Sequence, residues 1–337
     1  MKSTFGLVMT FVVLAVIIVW AFTEGAYPVE WIDVMSAVLE KNESAFVLFE
    51  IRMPRVIGAA AVGAILGMSG LSLQAMMRND LAEPSLLGIS SGAALMAGIA
   101  IIIMPIIQLT STTDMRGMLM ALFAFIGALS AVFVVQRLSR IQHRVDVQQL
   151  ILTGVAINAI CGAGAGVLSY LSNDEQLRSI TFWTLGSFGG LNQFKVFVLL
   201  CLAFLLFISM RWNAKQLNLM TLGEYEAMHL GVSVEKLKRR MILLVSLCVG
   251  VAVAFCGIIG FIGLVIPHIV RLLVGSNHEW TVPYVALIGA VVMVLADMVS
   301  RTVVLPSELP VGIVTAMMGA PFFIHLLRKN QRRNQIC

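Results

Sequence analysis

Apolar residues run along this chain in long blocks separated by short polar stretches. Ten blocks stand out: Phe5 to Phe22, Pro54 to Ala75, Ser85 to Ile107, Met115 to Val135, Gln148 to Leu171, Phe194 to Met210, Met241 to Ile258, Gly260 to Leu273, Thr281 to Met298 and Val311 to Leu327. A helix rises about 1.5 Å per residue and the hydrocarbon of a bilayer is roughly 30 Å thick, so blocks of this length predict membrane-crossing helices. Backbone groups inside lipid must pair within the protein, and segments this long do so as a helical bundle rather than a barrel. The predicted fold class is therefore all-α and polytopic, one transmembrane domain over residues 1–337.

The eighth block is the one that charge must decide. From Met241 to Val274 the chain is almost uninterrupted apolar sequence, long for one crossing and short for two, punctuated near its middle by Gly257, Gly260 and Gly263. If it crosses twice, 16 of the 23 Lys and Arg fall on one side together with 7 of the 18 Asp and Glu. The positive-inside rule then puts both termini in the cytoplasm, whereas one crossing would send Arg328, Lys329, Arg332 and Arg333 outside. Two crossings, the second short, fit better. The first block follows Lys2 but has no convincing small-residue cleavage site after it, and Trp20 suits an interface, so it reads as a retained helix.

Composition agrees, with 59% hydrophobic and 12% charged residues over 337 positions. Chemistry is sparse. The chain has no G-x-x-x-x-G-K-[ST] phosphate loop, no H-E-x-x-H and no acidic pair suited to magnesium. His143, His229, His268, His278 and His325 are scattered. Cys161, Cys201, Cys248, Cys256 and Cys337 form no C-x-x-C pair and read as small apolar core residues. No catalytic residue, metal site, cofactor or nucleic-acid partner is expected.

The span interiors carry Ser, Thr, Asn or Gln but no Asp, Glu, Lys or Arg near mid-bilayer, where an ion-driven carrier usually keeps several ionisable groups. Asp297 and Arg301 lie at the outer end of the ninth span, and Glu308 follows. Energy must then come from a partner. The fifth span is rich in small residues, with Gly154, Gly162, Gly164 and Gly166 and one amide at Asn158. Such a face permits close helix packing, or lines a passage at a subunit interface, or both.

Between the sixth and seventh spans the chain turns charged. Residues 211–240 include LGEYEAMHLGVSVEKL and the basic run Lys236, Lys238, Arg239 and Arg240. The pattern predicts a short helix, a corner at Gly231, and a second helix that Ser233 can cap. Exposed at a membrane surface, it is suited to receive another protein; a solvated loop is the simpler alternative.

Five segments in order carry a family resemblance. RMPRVIGAAAVGAILGMSGLSLQAMMRNDLAEPSLLGISSG (Arg52 to Gly92), LTGVAIN (Leu152 to Asn158), GEYEAMHLGVSVEKLK (Gly223 to Lys238), CGIIGFIGLVIPHIVRLLVGSNHE (Cys256 to Glu279) and LADMVSRTVVLPSELPVGIVTAMMGAPFFIHLL (Leu295 to Leu327) resemble the FecCD-type permeases. These are membrane subunits of ABC importers for iron-siderophores, haem and cobalamin. The resemblance implies a type II importer permease fold of ten helices with both termini inside. Its implied partners are two cytoplasmic ATPase subunits, a second permease subunit, identical or paralogous, an external substrate-binding protein and the surrounding membrane lipid. A ferric siderophore is the expected cargo, with cobalamin or haem as the alternative and a secondary transporter further off.

The resemblance also assigns roles. The ATPase-coupling element maps onto Thr221 to Lys238, with Gly223, Glu224, Ala227, Leu230 and Gly231 on its motif. Arg52, Arg55 and Arg301 fall where the family's permeases meet acidic residues of the binding protein; interfacial snorkelling is the plainer reading of the three. NDLAEPSLLG, Asn79 to Gly88, is expected to be a cytoplasmic turn from which Pro84 starts the third span.

Overall fold

The computed structural model describes residues 4–25, 46–107, 113–141, 144–305 and 307–334. His143 and Cys337 therefore lie outside the described residues. Thirteen α-helices account for nearly all of the described chain: α1 Thr4–Thr23, α2 Met53–Met77, α3 Ile89–Ile107, α4 Thr113–Leu138, α5 Val147–Leu171, α6 Asp174–Leu185, α7 Gln193–Trp212, α8 Ala214–Met220, α9 Glu224–His229, α10 Val234–Cys256, α11 Ile262–Val274, α12 His278–Thr302 and α13 Val311–Asn334. Arg140–Ile141 and Arg144–Val145 form a two-residue antiparallel ladder. Seven helical segments are long and apolar enough to cross a membrane, and three shorter apolar helices correspond to the predicted third, eighth and tenth spans.

The core is built around α2. A π-helical turn, Val47–Arg52, runs straight into it, and the joined segment Val47–Met77 is the most buried of the candidate spans. α12, α7, α11 and α10 all pack on α2, and glycine makes the tightest of these contacts possible. Gly63 of α2 faces Gly289 of α12, and Gly70 faces Gly263 of α11, each so close that a Cβ would fall on the opposite carbonyl. Small residues let helix backbones approach where lipid provides no hydrophobic drive for association.

Four details differ from the sequence reading. The third span does not start at Pro84: Pro84–Leu87 is a separate 3-10 turn, Gly88 reverses at φ 79°, and α3 begins at Ile89. The break between the seventh and eighth spans covers Gly257 to Phe261, and Phe261 holds φ 68°, a strained value for a residue with a Cβ. The helix after Gly231 is no separate unit; it forms the first turns of α10, which continues to Cys256. Ser233 takes the N-cap position of α10 without a side-chain hydrogen bond, so the expected cap is not made.

Candidate functional site

At one end of the bundle, α8 and α9 form the charged interruption. Gly223 at φ 143° and Gly231 at φ 87° turn the chain before and after α9, conformations in which a side chain is strained. Glu224 accepts a 2.7 Å hydrogen bond from Lys238 Nζ, whose side chain is buried, and this ion pair ties α9 to α10. Ala227 is fully buried beneath the turn. Of the five residues on the predicted coupling motif, only Leu230, 58% exposed, presents a large apolar side chain outward. Leu222 and Tyr225 join it, the latter 70% exposed. Sequence reasoning passed over both, although large apolar residues in a charged loop were a usable signal.

α8 is itself anchored to α12. Asn218 Oδ1 accepts from the backbone N–H of His278 at 2.8 Å and lies 2.7 Å from its ring Nδ1, while Asn218 Nδ2 donates to Asn277 Oδ1 at 2.9 Å. Alongside, Arg271 donates to Gln74 at 2.7 Å and pairs with Asp80 at 3.2 Å, and Gln74 in turn donates to the Gly263 carbonyl at 3.2 Å. The Asn79–Gly88 turn is thus fastened to α11. Glu83 is half-buried within it, accepts from the Ser85 hydroxyl, and has its carboxyl pushed above the ordinary value by desolvation.

The opposite end holds an ion cluster. Asp297 is fully buried, with Arg55 Nε donating to its Oδ1 at 2.8 Å and Arg301 Nε 3.1 Å from its Oδ2. Arg55 Nη1 also donates to both carboxylate oxygens of Glu308 at 2.8 Å. Arg301 donates to the carbonyls of Glu24 and Ala21 at 2.9 and 3.2 Å, and Arg52 donates to that of Phe22. Two guanidinium groups therefore cap the C-terminal end of α1, where helix carbonyls lack partners and the dipole favours a cation. Arg52, Arg55 and Arg301, expected at the rim, are all buried in this internal network. What reaches solvent is Glu308, its side chain 47% exposed.

α5 is divided between packing and open surface. Gly154 lies against the Leu86 carbonyl and Gly164 against Leu95. Asn158 Oδ1 accepts from Ser91 at 2.5 Å and its Nδ2 donates to the Ser85 carbonyl at 3.1 Å, so the amide joins α5 to α3 and the turn before it. Gly162 and Gly166 are exposed, with open space where a Cβ would stand. Among the described residues no group of three His, Cys, Asp or Glu could hold a metal ion. Cys161, Cys248 and Cys256 are buried free thiols, and His268 packs edge-on against Phe322.

The sequence profile of the FecCD transport family matches residues 13–329. The chain belongs to that family. It is 44% identical over 289 residues to the hemin transport system permease protein HmuU of Yersinia pestis, covering 84% of each chain. It is 38% identical over 280 residues to the vitamin B12 import system permease protein BtuC of Vibrio vulnificus, covering 83% of this chain and 82% of that one. A solved structure described as an inward-facing metal-chelate type ABC transporter superposes with a TM-score of 0.83 at 32% identity, over 96% of this chain and 98% of the other. This FecCD protein is accordingly a multi-pass membrane permease of an ABC importer. It is a transporter component and not an enzyme, ATP hydrolysis belonging to a separate subunit.

Proposed function

We propose that this chain forms the membrane passage for a metal chelate, with haem as the first cargo to test. It works with cytoplasmic ATPase subunits seated on the α9 surface and an extracytoplasmic binding protein at the opposite end. The observation that carries the reading is the apolar knob of Leu222, Tyr225 and Leu230 on a loop braced by the Glu224–Lys238 ion pair. Exposed apolar side chains on a stiff, charged mount suit a protein partner better than solvent. The 44% identity to a hemin permease favours haem. The metal-chelate description of the structural relative and the vitamin B12 relatives favour a second reading in the same class, a ferric siderophore or cobalamin.

Ten crossings with both termini inside place α9 in the cytoplasm. A second permease, identical or paralogous, covers the open strip of α5 at Gly162 and Gly166, and the solute passes along that strip. Docking of the binding protein on Arg52, Arg55 and Arg301 requires release of their internal partners, the Phe22 carbonyl for Arg52 and carboxylates for Arg55 and Arg301. Glu308 is the one that can leave, since Asp297 is buried between two guanidiniums. Uptake of radiolabelled haem, cobalamin and ferric siderophores, in cells with and without this chain and before and after ATP depletion, tests the reading. ATP-dependent loss of haem uptake alone supports haem, loss of another chelate transfers the reading to it, and unchanged uptake of all overturns the class.

A further inference from the structure

Three outer-side cations converge on one cavity. Arg116 opens α4, Arg178 lies on α6 and Lys195 opens α7, yet all three line a cavity of about 640 Å³ bounded also by the ends of α3 and α10. On the orientation proposed above, this is the side on which Lys and Arg are scarce. The other outer cations among the described residues, Arg52, Arg55 and Arg301, are consumed by the buried cluster. Arg178 and Lys195 form no ion pair with a carboxylate among the described residues. Lys195 Nζ donates to the Gly190 carbonyl at 2.6 Å and stands 5.9 Å from the centre of the Phe255 ring. Phe182 and Trp183 complete the rim, side chains suited to the boundary between water and lipid.

Below the rim lies a second cavity of about 390 Å³, and the two share Ala254 and Phe255. Its walls are apolar throughout, including Leu119, Leu122, Phe125, Val198 and Val251. On α4 the lining runs inward from Arg116 to Phe125, on α7 from Lys195 to Val198, and on α10 back from Phe255 to Val251. Nine residues of α4 span roughly 13 Å, close to half of a ~30 Å hydrocarbon core. Cations at the interface above an apolar groove one leaflet deep match a particular chemistry.

We propose that this composite cavity binds an anionic phospholipid of the outer leaflet, with its phosphate among Arg116, Arg178 and Lys195 and an acyl chain along the groove between α4, α7 and α10. An anionic solute would leave the apolar groove unused, and a zwitterionic lipid would bring no net negative charge to Arg178 and Lys195, which form no ion pair among the described residues. The inference rests on the proposed orientation for the leaflet alone; its binding test is blind to which chelate is carried.

The test is native mass spectrometry of the purified full-length chain titrated with phosphatidylglycerol, and separately with phosphatidylcholine of the same acyl chains. The wild type is expected to retain phosphatidylglycerol with a preference of about tenfold or more, given a contribution from each interfacial cation. The triple variant Arg116→Gln, Arg178→Gln, Lys195→Gln should lose the preference. Leu122→Trp, which fills the groove and leaves the cations in place, should weaken retention of phosphatidylglycerol and serves if the triple variant does not fold. Equal retention of the two lipids by the wild type, an unchanged preference in the triple variant, or unchanged retention in Leu122→Trp overturns the proposal. Displacement of phosphatidylglycerol by inorganic phosphate at equal concentration overturns it as well, since the site would then bind a free anion.

Discussion

Asp297→Asn keeps the shape of its side chain and removes its charge, so it isolates the electrostatic part of the buried cluster. In the wild type two guanidiniums, Arg55 and Arg301, share the Asp297 carboxylate, and Arg55 also holds Glu308. The variant leaves Arg55 with the half-exposed Glu308, and Arg301 hydrogen-bonded to the Glu24 and Ala21 carbonyls. Removing one partner of a buried, hydrogen-bonded pair costs about 3–5 kcal/mol, because the remaining charge keeps its desolvation penalty and loses its compensation. Glu308→Gln removes a charge that water already screens and is expected to cost less than about 1 kcal/mol. Equilibrium unfolding of the purified chain in mixed micelles, with one denaturant and one protein concentration throughout, measures both. The double variant Asp297→Asn, Arg301→Gln should be less destabilised than the two single losses added, since the stranded cation goes with its partner. The reasoning fails if Asp297→Asn falls within about 1 kcal/mol of wild type, or if Glu308→Gln costs as much.

Other consequences can be measured directly. Gly70→Val drives a side chain into the Gly263 backbone and should cost about 1–3 kcal/mol or more by the same unfolding assay. Leu230→Asp combined with Tyr225→Ala should abolish co-purification with the ATPase subunits while leaving membrane insertion intact, read by pull-down and membrane fractionation. Glu224→Arg breaks the brace to Lys238, and Gly231→Pro replaces a residue at φ 87° with one fixed near −65°; both should uncouple ATP hydrolysis from uptake without loss of the inserted protein. Burial raises the Glu83 carboxyl above its ordinary 4.5, so the folded chain holds that proton more tightly than the unfolded chain. Its contribution is therefore full at low pH and is lost as pH rises through the folded value; Glu83→Gln should be more stable than wild type at neutral pH, with the gain vanishing below the ordinary carboxylate range.

The lipid-crossing segments were legible because a bilayer imposes one length and one polarity on each. α1 and α5 fall within a residue of their predicted limits. Departures come where local backbone chemistry overrides hydropathy, as at the 3-10 turn after Pro84 and at the break ending in Phe261. α6 was unpredicted although its start is written in the chain: Asn173 and Gln176 form a reciprocal capping box, a signal masked by the search for long apolar blocks. Near the end of α12, Asp297 and Arg301 are four residues apart and visible as neighbours on a helix. The closure of that pair by Arg55, 242 residues away from Asp297, is a tertiary fact. So is the burial of Arg52 and Arg301, which depends on where the last carbonyls of α1 end.

The two ends of the molecule are joined by α12. Its first turn is held by Asn218 of α8 through Asn277 and His278, and its last turns carry Asp297 and Arg301. Twenty-five residues of helix span about 37 Å, roughly the depth of the bilayer. Between these anchors α12 is packed on α2 at Gly63 and Gly289 with no room for a methyl group, so the two helices cannot slide independently without opening that contact. A displacement imposed at α8 is therefore transmitted to the ion cluster at the other end as a rigid movement of α12 with α2. That movement must strain the three bonds by which Arg52 and Arg301 hold the end of α1, or carry α1 with it. In either case a movement at one end of the molecule changes the surface at the other through packing alone.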